Sequence, residues 1–183
     1  MPKSIFDQID DIKKGNEPFK WYRNRIKELG SPSQKELVKD GKISGAPNWG
    51  RMNFFFYDPK HKKTLPYYDK FPLVIPIEKY KDGFLGINFH YLPYAIRVRL
   101  LDEMVNISGA GKLTEKTELN INWKAVSKMK KVRPCIKRYL ASHVKSPFRR
   151  IDADDFLLAA MLPVHKFEKA TSSKVWADSR SKI

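Results

Sequence analysis

Residues 71–93 read FPLVIPIEKYKDGFLGINFHYLP. Two runs rich in β-branched and aromatic residues flank Asp82-Gly83, a pair suited to a tight hairpin turn. Phe71 to Ile77 forms one expected strand. Leu85, Ile87, Phe89 and Tyr91 share one face of the next. Pro72 and Pro76 cannot donate to a ladder, which puts the first strand at an edge or a barrel corner. Gly86 leaves room for another backbone to come close. Pro93 then opens a helix in which Ile96, Leu100 and Met104 stack at i, i+4 and i+8.

On the N-terminal side of this hairpin, Met52, Phe54 and Phe56 alternate with Asn53, Phe55 and Tyr57, a strand with apolar groups on both faces. Asp58-Pro59-Lys60 makes a turn into a basic loop, HKKT. On the other side, Leu119, Ile121 and Trp123 alternate within 117–123 and predict a further strand. The fold class expected is α+β. Its centre is a small, strongly bent barrel or half-barrel, SH3-like, flanked by N- and C-terminal helices.

The N-terminal helices start at Ser4 (with Ile5, Ile9 and Ile12 on one side), at Pro18 and at Ser31-Pro32. Residues 41–50, GKISGAPNWG, read as a linker. In the last third, Lys124, Lys128 and Lys131 form a lysine stripe opposite Ala125, Val126, Met129 and Val132. Pro134 opens the next helix, with Ile136, Tyr139, Leu140, His143 and Val144 inward, and Ser146-Pro147 ends it. Asp152 caps a helix carrying Phe156, Leu157, Ala160 and Met161, and a final helix surrounds Val175-Trp176. The division expected is therefore 1–45 helical, 46–123 β-rich with one helix, and 124–183 basic and helical, packed on the core.

The chain has 183 residues, 42% of them apolar and 13% aromatic, which suits one folded domain. Its single cysteine, Cys135, rules out an internal disulfide framework and a cysteine-based zinc cluster. The opening MPKSIFDQIDDIKK has no apolar run, so no signal peptide is expected, and no stretch has the length of a membrane span. The formal net charge is +16. Residues 124–150 hold ten basic and no acidic groups, whereas 151–183 hold five of each. A folded segment that repels itself in this way calls for a polyanion beside it, and nucleic acid is the simplest one. The alternative is neutralisation by acidic groups elsewhere in the fold or on a neighbouring subunit. The residues expected to touch DNA are Lys124, Lys128, Lys130, Lys131, Arg133, Lys137, Arg138, Lys145, Arg149 and Arg150. A lysine-rich face fits phosphates and reads bases poorly.

Other candidates carry less chemistry. His61, His90, His143 and His165 lack metal-ligand spacing and read as structural. GAGKLT at 109–114 lacks the leading glycine of a phosphate loop and follows a helix. Asp152, Asp154 and Asp155 fit capping and the helix dipole better than metal-dependent nuclease chemistry. Cys135 fits a small apolar filler. Tyr57, Tyr67, Tyr68, Tyr80 and Tyr91 are either barrel core or platforms for unpaired bases. No enzyme activity, cofactor or metal is expected.

Residues 50–93, GRMNFFFYDPKHKKTLPYYDKFPLVIPIEKYKDGFLGINFHYLP, resemble a segment of small structural proteins of T-even-like tailed phages. RPCIKRYLASHV (133–144), MLPVHKF (161–167) and KVWADSR (174–180) strengthen the resemblance. It implies a phage virion protein, present in the host cytoplasm during assembly, with DNA and other phage structural proteins as partners and no membrane. Within such a family, this charge suits DNA-end protection or another contact with packaged DNA. It equally suits a neck, tail or baseplate subunit whose basic face pairs with acidic partners.

Overall fold

The β4–β5 hairpin is the centre of the fold. In the computed structural model, which describes residues 43–111, 113–161 and 167–183, β4 (Leu73–Tyr80) and β5 (Gly83–Asn88) turn back on each other through Lys81-Asp82. Tyr80 faces Gly83 and Ile75 faces Ile87 across the ladder. The remaining strands are β1 (Ile43–Ser44), β2 (Met52–Phe54), β3 (Tyr68–Asp69), β6 (Ile136–Leu140), β7 (Phe148–Ile151) and β8 (Phe167–Glu168). Six of the eight strands form one antiparallel sheet in the order β1-β7-β2-β4-β5-β6, and β3 pairs with β8 in a second, two-stranded sheet. The helices are α1 (Tyr94–Ser108), α2 (Trp123–Val126), α3 (Phe156–Met161) and α4 (Ser172–Ser181). The class is mixed α and β, as expected, but the large sheet stays open between β1 and β6, so no closed barrel is found among the described residues. The helices expected at Ser4, Pro18 and Ser31 lie outside the described residues.

Alternation on β2 fills two cores. Met52 and Phe54 join Leu73, Ile75, Ile77 and Ile87 on one face, beneath Leu100, Leu101 and Met104 of α1, Phe156 of α3 and Val175 of α4. Phe55 and Tyr57 join Val74, Phe84, Tyr139 and Phe148 in a second cluster. Phe55 meets its neighbours there edge-on or tilted, with centroids 4.8 Å apart for Phe55–Phe148 and 5.2 Å for Phe55–Tyr139, while Phe84 and Tyr139 stack at 5.3 Å. Each such aromatic pair contributes ~0.5–1.5 kcal/mol beyond its buried area.

Several expectations are corrected. The strand that carries Pro76 is not at an edge but between β2 and β5; β2 pairs with it only at Leu73 and Val74, so Pro76 has a ladder neighbour on the β5 side alone, next to a register shift between Pro76 and Glu78. The third strand ends at Asn88. Phe89–Tyr91 form a 3-10 turn, with the Asn88 side chain accepting from the His90 amide at 3.0 Å. Residues 41–50 are more than a linker, since β1 pairs with β7. Residues 117–122 are not a strand. Leu119 and Ile121 alternate inward as a strand would, and the Leu119 amide donates to Gly50, but no ladder forms.

Residues 136–140 are a strand and not a helix. The spacing of Ile136, Tyr139 and Leu140, i, i+3 and i+4, is helical, but the open edge of β5 offers backbone partners that override it, and as a strand the segment sends Ile136 to one core and Tyr139 to the other. Two glycines let β5 sit this close. A Cβ on Gly86 would stand 2.2 Å from Val74 Cγ1, and one on Gly83 would stand 1.9 Å from the Tyr139 carbonyl oxygen. The lysine-stripe helix shrinks to the four residues of α2, with Asn122 accepting from the Ala125 amide, followed by a 3-10 turn over Lys130–Cys135. A helix confined between Asn122 and Pro134 is too short to sustain itself. Asp152 occupies the cap position of a 3-10 turn, Ala153–Asp155, that leads into α3, without a side-chain capping bond. α1 and α4 stand where the sequence places them.

Because the neighbour of Gly83 is backbone and cannot move aside, Gly83→Ala is expected to destabilise the protein by ~1–3 kcal/mol. A lower urea midpoint at unchanged slope would register this; an unchanged midpoint would refute the close approach.

Candidate nucleic-acid interface

The ten cations of 124–150 fall into three places. Lys124, Lys128, Lys130 and Arg133 are exposed around α2 and the turn after it, and no carboxylate pairs with them among the described residues. Lys131, beside them, is half-buried and pairs with Glu103 of α1 at 2.5 Å. Lys137 and Arg138 lie on β6 at one edge of the sheet. Arg138 pairs with Asp82 at 2.6 Å and lies over the Tyr80 ring. Arg149 and Arg150 lie on β7, separated from β6 by β2, β4 and β5. Arg150 pairs with Asp152 at 2.8 Å. Lys145 is exposed in the segment between β6 and β7. For Lys131, Arg138 and Arg150 the alternative of neutralisation by acidic groups elsewhere in the fold therefore holds, through Glu103, Asp82 and Asp152. The three lysines expected as one stripe are carried by no single helix.

A second basic group was not expected. A cleft of about 470 Å³ opens between the segment 57–69 and β6. Tyr57, Tyr67, Tyr68, Tyr91 and Tyr139 line it, together with Lys60, His61, Lys137, Arg138 and Lys182. Four of the five tyrosines singled out from the sequence therefore converge, while Tyr80 sits under Arg138 instead. Lys137 lies largely buried, with its ammonium 4.0 Å above the Tyr91 ring. Burial, followed by the nearby Lys182 charge, pulls the Lys137 pKa below that of an ordinary lysine.

The cleft floor is fixed by a buried polar cluster. Asp69 Oδ2 lies 2.7 Å from His90 Nδ1 and accepts from Asn88 Nδ2 at 3.0 Å, while Oδ1 accepts from the Phe71 amide. Burial pushes the Asp69 carboxyl up, but the imidazole, the amide side chain and the backbone donor outweigh it and hold the pKa below its usual value. Next to this cluster, Arg97 is fully buried. It donates to the carbonyls of Leu92 and Ala160 at 2.6 and 3.0 Å and lies 4.6 Å from the Tyr94 ring centre. Desolvation brings its pKa down to about 10, so it remains charged at neutral pH. Trp176 of α4 donates to the His90 carbonyl.

The lesser candidates have structural places. Burial pushes the Cys135 thiol up to about 12, leaving an inert filler. His143 bonds the Asp58 carbonyl through Nδ1 at 2.8 Å. His61 is exposed at the cleft rim, and His165 lies outside the described residues. Asp152 is buried between Arg51 and Arg150. Gly109 to Gly111 continue from the end of α1 as a loop. Among the described residues, no cluster of three or more His, Cys, Asp or Glu side chains is placed to hold a metal ion, and no helix is long and apolar enough to cross a membrane.

The sequence pattern of a family described as phage T4 terminal DNA protecting protein matches residues 7–179. The chain belongs to this family. The match spans both the basic segment and the cleft, apart from Lys182. The bacteriophage resemblance and its DNA-end-protecting character thus agree with an independent comparison. No curated protein and no solved structure matches the chain.

Replacing Asp69 by alanine strands three donors beside a buried ring. Each buried donor left unpaired costs about 1–3 kcal/mol, so Asp69→Ala is expected to lose ~3 kcal/mol or more. The Asp69 pKa is depressed on folding, so its contribution is complete above the usual carboxylate value of 3.8 and lost as the pH falls through the lower folded value. Urea unfolding from pH 7 to pH 2 is expected to show this loss in the wild type and a flatter acid limb in Asp69→Ala; parallel curves would exclude the cluster as its source.

Proposed function

We propose that this protein binds the ends of phage DNA in the virion and shields them from exonucleases by steric cover, without catalysing a reaction. The family match over residues 7–179 carries this reading. The net charge of +16 supports it, since a protein that covers a polyanion gains from long-range attraction and from counterion release.

Within this reading, Lys124, Lys128, Lys130, Arg133 and Lys145 supply the phosphate contacts. They are exposed, and no carboxylate salt bridge among the described residues competes for them. Lys131, Arg138 and Arg150 already have carboxylate partners and contribute less. Lysine-dominated contact of this kind holds backbone phosphates of any sequence.

With four or five phosphates neutralised, the binding constant for duplex DNA is expected to fall with salt at a log–log slope of about −4. The triple variant Lys124→Glu, Lys128→Glu, Lys130→Glu should elute from immobilised DNA at clearly lower salt. Equal retention would remove this surface from the account. In a separate assay, linear DNA incubated with the protein should resist exonuclease digestion, and digestion at the unprotected rate would overturn the shielding role.

A further inference from the structure

We infer that the tyrosine-lined cleft seats the terminal nucleotide of the DNA, its phosphate between Lys137 and Lys182 and its base against Tyr68. This rests on the DNA-end reading above and assigns the site that would distinguish an end from the interior of a duplex. The cleft volume of about 470 Å³ lies within the range of pockets that enclose a small ligand.

Three observations point to a nucleotide. Lys137 is a largely buried cation that makes no ion pair or hydrogen bond among the described residues. A buried ammonium held only over a ring face has unspent capacity for an anion. Lys182 lines the same cleft, and Lys60 and His61 stand at its rim. The one carboxylate in the lining, Asp69, is buried and already engaged by His90, Asn88 and the Phe71 amide.

The aromatic half of the cleft is free to stack. Tyr68 is half-buried and has no ring neighbour among the described residues. Tyr67 beside it is fixed by its hydroxyl on Asp178, 3.2 Å away, and by edge contact with Phe167. Base–aromatic stacking is tolerant of sequence, which suits a protein that must accept whatever base stands at an end. A terminal phosphate monoester carries more charge than an internal diester, about −1.5 to −2 at neutral pH, and two facing lysines complement it.

The test measures binding of the full chain to three duplex probes of one sequence: ends with 5′-phosphate, ends with 5′-hydroxyl, and a covalently closed circle. A 3′-phosphate duplex tells which terminus is read. The wild type is expected to favour a phosphorylated end over the circle by about tenfold or more, the range of one charge-assisted hydrogen bond. Lys137→Met and Lys182→Ala should each remove most of that preference while leaving circle binding unchanged. Tyr68→Ala should weaken end binding by about fivefold or more, and Tyr67→Phe should not.

Lys182 is exposed, so its variant reports even where Lys137→Met fails to fold, which thermal melting would reveal. Binding to ends and circle alike, or an end preference that survives both Lys182→Ala and Tyr68→Ala, overturns the cleft assignment and leaves the DNA reading standing. Equal affinity for hydroxyl and phosphate ends overturns the lysine contact. Binding to none of the probes overturns the DNA-end reading itself.

Discussion

The structure depends on keeping two charged side chains, Asp69 and Arg97, in an apolar interior. An isolated buried charge costs far more than a small domain's whole stability, so each must be surrounded by fixed partners. Asp69 takes three, from Asn88, His90 and the Phe71 backbone. Arg97 takes carbonyls from Leu92 and Ala160 and lies against the Tyr94 ring. Asp69 stands on β3 and Arg97 on α1, and their partners belong to the segment between β3 and β4, the end of β5, the turn after it, α1 and α3. The two charges therefore fix where the small sheet, the large sheet and the helices sit relative to one another. Trp176, donating to the His90 carbonyl, adds α4 to the same junction.

That junction positions the surface chemistry. β3 carries Tyr68 next to Asp69, so anchoring the carboxylate also sets the tyrosine at the cleft. The turn after β5 carries His90 and Tyr91, which places the Tyr91 ring beneath Lys137. On the far side, Gly83 of β5 admits the β6 backbone at a separation that no side chain would permit, and β6 delivers Lys137 and Tyr139 to the same opening. A buried ion cluster with little tolerance for rearrangement thus underlies a rigid, positively charged opening, and rigidity lowers the entropy lost when a ligand binds.

The basic segment divides its charges between two kinds of surface. Around α2, Lys124, Lys128 and Lys130 are exposed and pair with no carboxylate among the described residues, an arrangement suited to gathering a polyanion from a distance and holding it at any register. On β6 a cation sits in a confined, aromatic setting, where geometry matters more than net charge. Carboxylates pair with Lys131, Arg138 and Arg150, which limits the self-repulsion that ten cations in one segment would otherwise create.

Local pattern determined the β4–β5 hairpin, the helix after Pro93, the two-faced strand at Met52–Phe54 and the terminal helix, because period and turn residues act over a few positions. It also determined the charge imbalance of 124–150, and its resemblance to phage proteins agreed with the family match. Tertiary structure decided that 136–140 is a strand, because the free edge of β5 offers backbone partners that override a helical spacing of apolar residues. It decided that β4 lies between β2 and β5, with β2 ending before it reaches Pro76, because strand order and strand length are set by pairing across the sheet. It decided which cations meet carboxylates and which stay exposed, and it brought Tyr67, Tyr68, Tyr91, Lys137, Tyr139 and Lys182 to one cleft. Contacts between residues so far apart along the chain are set by the packing of whole elements, and no local run of residues encodes them.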